Sequence, residues 1–121
     1  VVVVDCDNDK AVEYCKSKEL TTPYSVKTTR GRHYYFSHPQ NGTRFKNTVD
    51  LHKVQGLDFR GDGGYVVMPP SVKIKDGKVA HMYDWEIGVG CDWDNLDDFA
   101  WSESPTGVLV WQSRLRECKG G

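Results

Sequence analysis

Four consecutive β-branched apolar residues, Val1 to Val4, open the chain and lead into Asp5-Cys6-Asp7. Such a run reads as a strand buried on both faces, over residues 1–6. From about residue 9 to 18 the apolar positions take helical spacing. Thr21-Thr-Pro-Tyr24 is a connecting turn. Residues 25–29 and 33–36 read as two strands around Arg30-Gly31-Arg32, a hairpin turn with Gly at the tight position. Residues 38–43 form a loop, and residues 48–52 and 56–59 carry strand alternation. Arg60-Gly-Asp-Gly-Gly64 is a glycine-dense turn before the apolar strand 65–68, which stops at Pro69-Pro70. Residues 72–75 and 78–85 flank Asp76-Gly77, a strong hairpin signal. Past Gly88 the pattern is ambiguous, with a helix expected over 94–101 and a strand or short helix over 108–115. One early helix followed by many strands predicts an α+β fold with a mostly antiparallel sheet and few helices.

The chain has 121 residues, enough for one small domain, 1–121, with a real core. Sixteen basic residues stand against seventeen acidic ones, so net charge argues neither for nor against a nucleic-acid partner. Local clustering carries more, since Lys27, Arg30 and Arg32 fall within six residues. The four cysteines include no Cys-x-x-Cys pair, which argues against structural zinc and favours free thiols in an intracellular, cytoplasmic protein. No signal peptide is recognisable and no stretch is long enough to span a membrane. The opening inside a strand, without Met, suggests a piece of a longer protein.

Asp5 and Asp7 carry the sharpest chemical signal. Strand alternation points both the same way, about 7 Å apart. Two like charges at the end of a hydrophobic strand are costly unless a cation sits between them. Hard divalent ions take carboxylate oxygens, and metal with acid suggests phosphoryl chemistry. Asp7, Asn8 and Asp9 equally suit the N-cap of the following helix. Asp58, alternating with Leu57 and Phe59, is a candidate third ligand, with Asp50 a competitor on composition alone. Three carboxylates from two strands suit a pair of divalent ions about 3.5–4 Å apart. His33, Lys27, Arg30, Arg32 and Arg60 are candidate phosphate contacts, although a charge run is usually a solvated turn. The glycines of 60–64 could turn backbone N–H groups toward an anion or simply serve a tight turn.

Taken in order, these residues resemble the primase-polymerase domain of the archaeo-eukaryotic primase superfamily, as in bifunctional replication proteins of phages and plasmids. The matching pieces are Val1-Val-Val-Val-Asp5-Cys-Asp7, Thr28-Thr-Arg-Gly-Arg-His33-Tyr-Tyr-Phe36, residues 56–71 with Gly-Gly-Tyr-Val-Val-Met-Pro-Pro-Ser71, and Tyr83-Asp-Trp85. The resemblance covers about residues 1–87 and leaves 88–121 unassigned. It implies an RNA-recognition-motif-like palm with Asp5, Asp7 and Asp58 as ligands to Mg2+ or Mn2+. It also implies His33 at the incoming nucleotide's phosphates, and it prefers Asp58 to Asp50. The implied activity is DNA-dependent nucleotidyl transfer, making primers or extending strands, with DNA and nucleoside triphosphates as partners. A helicase domain is a candidate companion in the parent protein. A reading from another class is a single-strand nucleic-acid binding module without catalysis, stacking bases on Tyr34, Tyr65 and Trp85.

Overall fold

The computed structural model describes residues 1–38, 44–99, 101–103 and 109–111. The fold is α+β and mostly antiparallel, as its pattern predicts. β1 (Val2–Cys6) leads into helix α1 (Asp9–Ser17), then β2 (Tyr24–Lys27), β3 (Arg32–Phe36) and β4 (Leu57–Arg60). With β7 (Trp85–Ile87) these make a five-stranded sheet in the order β4-β1-β3-β2-β7. Every neighbouring pair is antiparallel, so α1 is the crossover of a split βαβ unit with β3 lying between β1 and β2. The first four strands thus take the strand order of an RNA-recognition-motif-like palm. β5 (Val72–Lys75) and β6 (Lys78–Met82) form a separate hairpin, and β8 (Trp101–Glu103) pairs with β9 (Leu109–Trp111).

Register fixes what each face carries. Val2, Val4 and Cys6 of β1 lie opposite Phe36, Tyr34 and Arg32 of β3, and opposite Phe59 and Leu57 of β4. This face packs on Ala11, Val12 and Cys15 of α1, all buried. The Cys6 and Cys15 thiols meet at 3.5 Å, and their contact, with burial, raises the Cys6 pKa far above the ordinary thiol range. Both are free, whereas Cys91 is disulfide-bonded, against the expectation of free cysteines. Sequence spacing carries no signal for this, because pairing depends on Cα separation in the fold.

The N-cap is Asn8, whose side-chain oxygen accepts from the Ala11 N–H at 2.8 Å. Asp7 is therefore released from capping. Two expected strands are not strands. Only Thr48 of 48–52 bridges, to Phe59, after which Asp50 and His52 take left-handed angles around a 3-10 turn at Leu51–Lys53. Residues 65–68 lie unpaired, with Tyr65 91 % exposed. The expected helix over 94–101 is a 3-10 segment, Trp93–Phe99, and only residues 109–111 of the ambiguous 108–115 run are described, as β9.

Candidate functional site

Strand alternation places Val3, Asp5, His33, Tyr35, Asp58 and Arg60 together on the face away from α1. Asp5 is directly opposite His33 on one side and Asp58 on the other. Like charges facing across an antiparallel pair repel, and basic neighbours offset this. His33 Nε2 lies 3.3 Å from Asp5 Oδ1. The Arg60 guanidinium reaches both acids, with Nη2 3.2 Å from Asp58 Oδ2 and Nε 3.9 Å from Asp5 Oδ2. Among the described residues, the buried His33 Nδ1 has no hydrogen-bond partner.

Asp7 stands just past the strand and pairs with Arg30 at 3.1 Å. Both side chains are largely exposed, and such pairs contribute little to stability. The backbone holds this corner more firmly. The Asp7 N–H donates to the Gly56 carbonyl at 2.8 Å, and Asn8 Nδ2 donates to the Gln55 carbonyl at 3.0 Å. Gly31 crosses so close to β1 that an added Cβ would sit 1.9 Å from the Cys6 carbonyl oxygen. Any larger residue there must push the hairpin away from the acidic corner.

Asp5, Asp7, Arg30, His33 and Arg60 line one open cavity of about 270 Å³, together with Thr28, Thr29, Lys73 and Tyr83. Tyr65 to Val67 also line it, which is where the expected strand has gone. Tyr35 is buried on the same face against the Trp85 ring, 4.7 Å between centroids. Burial, with the Asp5 charge adding to it, pushes its phenol up to about 12.

The remaining candidates are placed elsewhere. Asp58 does not border this cavity but adjoins Asp5 and accepts from the Asp50 N–H at 3.1 Å. The Asp50 carboxylate accepts from the Gly56 N–H at 3.1 Å, a role inside its own turn. Lys27 and Arg32 face each other on the helix side of the sheet, and Arg32 is paired with Glu86 at 2.6 Å. They line a second hollow against α1, beside Asp9 and Glu13. The 60–64 turn is closed by the Gly64 N–H donating to the Gly61 carbonyl at 3.1 Å, and Asp62 ties it to Phe45, whose N–H it accepts at 2.8 Å. Of the three aromatic platforms, Tyr34 is buried on the helix side, Trp85 is wedged between Tyr35 and Trp93, and Tyr65 stands free. Lys73 at the cavity was not singled out from sequence, though the Val-Lys-Ile-Lys alternation carried the signal.

A divalent cation suits the donors at this site in part. The carboxylates are hard oxygen ligands, and the Arg60 guanidinium already bridges Asp5 and Asp58, so positive charge is accepted between them. Among the described residues, no three His, Cys, Asp or Glu side chains converge on a common point as they stand.

These features define a class, a split βαβ sheet whose open face gathers acids, a histidine and two arginines at a cleft. Residues 1–96 match the family of bifunctional DNA primase/polymerase N-terminal domains, and the chain belongs to that family. The family carries nucleotidyltransferase chemistry on DNA and nucleotides and is metal-dependent in general. No curated protein and no solved structure matches the chain. Among the described residues, no helix is long and apolar enough to cross a membrane.

Proposed function

We propose that this domain is a template-directed nucleotidyltransferase whose centre is Asp5, Asp7 and Asp58 with His33, Arg30 and Arg60. The observation that carries this reading is the register of three adjacent strands, which sets Asp5 between His33 and Asp58 at the cavity. Family membership supports the same chemistry. The reaction joins a primer 3′-oxygen to the α-phosphorus of a nucleoside triphosphate and releases pyrophosphate. Asp5, Asp7 and Asp58 would hold Mg2+ or Mn2+, and the bound ions supply activation of the 3′-hydroxyl and neutralisation of the leaving charge.

The chain's own residues position the substrate. Arg30 and Arg60 now serve as counter-ions to the acids, and their guanidinium groups suit triphosphate oxygens. His33 is held from two sides, by the Asp5 carboxylate and by the edge of the Tyr35 ring. Positioning and electrostatics provide most of the rate in this type of chemistry. Lys27 and Arg32 stay outside the assignment, because they line the hollow on the helix side.

The test is primer extension on a primed single-stranded template with Mg2+ and with Mn2+, beside an Asp5→Asn, Asp7→Asn double variant. The expected loss is about 100-fold or more, because a metal supplies several kcal/mol of transition-state stabilisation. Full activity in a folded double variant would falsify the reading. The non-catalytic binding module has less support, since Tyr34 is buried and Trp85 is partly buried against Tyr35 and Trp93.

A further inference from the structure

The β5–β6 hairpin sorts its side chains by register. Val72 lies opposite Met82 and Ile74 opposite Val79, while Lys73 lies opposite His81 and Lys75 opposite Lys78. A register shift between Lys73 and Ile74 leaves Ala80 as the extra residue on β6. With uninterrupted pairing Lys75 would oppose Val79; the bulge instead brings Lys78 across from it. One face is thereby apolar and the other basic. The turn, Asp76-Gly77, has positive φ at both positions, as a two-residue hairpin requires.

The basic face is the one turned toward the body of the protein. Lys73 lines the cavity with Asp5, Asp7 and His33, and His81 Nε2 lies 2.8 Å from the Lys27 carbonyl oxygen. Lys75 and Lys78 continue this face outward to the hairpin tip. Neither they nor Lys73 forms an ion pair among the described residues, and all three are exposed. Two lysines directly opposite each other repel, so the tip carries a cost that a polyanion between them would relieve. The run reaches from the cavity to the tip, with Lys73 and Lys75 two residues or about 7 Å apart on β5 and Lys78 across from Lys75, a path suited to successive phosphates.

The geometry points to the basic face of β5–β6 as a binding surface for the phosphodiester backbone of a single-stranded nucleic acid leading into the cavity, with Lys75 and Lys78 as its outer contacts. This deepens the proposed function and rests on it for the direction of the strand. The probe is a fluorescent single-stranded DNA oligonucleotide, its affinity measured by anisotropy across a salt series. Lys75→Gln, Lys78→Gln is expected to weaken binding on the order of tenfold and to lower the salt slope by about 1.4, the share of two contacts on a single strand. Lys75→Arg, Lys78→Arg should bind as the unmodified protein does. Lys10→Gln, Lys18→Gln, on and just past α1, removes the same charge and should change little.

Equal affinity and slope in the Gln hairpin variant would overturn the inference, as would no DNA binding by the unmodified protein. Primer extension run in parallel separates the two ideas. Extension without lysine-dependent binding sinks the hairpin surface alone. Lysine-dependent binding without extension sinks nucleotidyl transfer and leaves the surface standing.

Discussion

The five-stranded sheet and the β5–β6 hairpin are built on the same two-residue alternation, and only the sheet buries its apolar side. In the sheet, Val2, Val4, Leu57 and Phe59 disappear beneath α1 and Trp101, and the opposite face is left to Asp5, His33, Asp58 and Arg60. In the hairpin, Ile74 is 58 % and Val79 57 % exposed, and nothing among the described residues covers them. Alternation therefore decides which residues share a face. Burial is decided by what the chain later lays against that face.

The sharpest way to break the comparison is to cut one apolar residue from each region. Phe59→Ala removes a ring packed against Phe45 and Trp101 and should cost about 3–5 kcal/mol in urea unfolding. A loss below about 1 kcal/mol would mean that the sheet's helix-side core is not a continuous packed unit. Gly31→Ala comes next, with an expected loss of about 1–3 kcal/mol, because its Cβ would strike the backbone of β1. Thermal melting would register it, and an unchanged midpoint would remove the close approach as a constraint.

Alkaline pH tests the sheet in a third way. Burial raises the Tyr34 and Tyr35 phenols to about 12, from an unperturbed 10. A raised pKa means that the folded state holds its proton longer than the unfolded chain. The associated stability is complete below about pH 10 and is lost as pH rises toward 12. Melting temperature should fall across that window, and Tyr35→Phe should flatten the fall. A profile identical to that of the unmodified protein would argue that Tyr35 is not desolvated. The smallest effect belongs to the hairpin, where Ile74→Ala should stay within about 0.5 kcal/mol. A larger loss in the same unfolding assay would reveal a contact on the apolar face.

Much of this was legible before the fold. Six of the strands, β1 to β6, follow from apolar runs and turn residues, and the approach of Asp58 to Asp5 follows from the order of motifs. The segregation of Arg32 from His33 was missed, because Arg32 reads from sequence as a turn residue; it opens β3, where neighbours point to opposite faces. So was the fate of 65–68. Its apolar run equals that of a buried strand, but β4, the nearest strand before it, is the sheet's edge and, among the described residues, bridges outward only to Thr48. The run lines the cavity through Tyr65 to Val67 instead of adding a strand. The left-handed angles at Asp50 and His52 were equally hidden, since they arise from a turn closed by the Asp50 carboxylate on Gly56.

The Gly31 and Gly56 contacts around the end of β1 bear on how the acids can be studied. The corner is gripped through main-chain atoms, by the Gly56 carbonyl on one side and the Gly31 Cα on the other. Neither the Asp5 nor the Asp7 carboxylate takes part in those two main-chain contacts. Neutralising Asp5 or Asp7 therefore leaves these main-chain contacts in place while it releases the ion pairs to His33 and Arg60 or to Arg30. A lost function in such a variant reports on the carboxylate charge and the side chains it holds, with the main-chain scaffold as its own internal control.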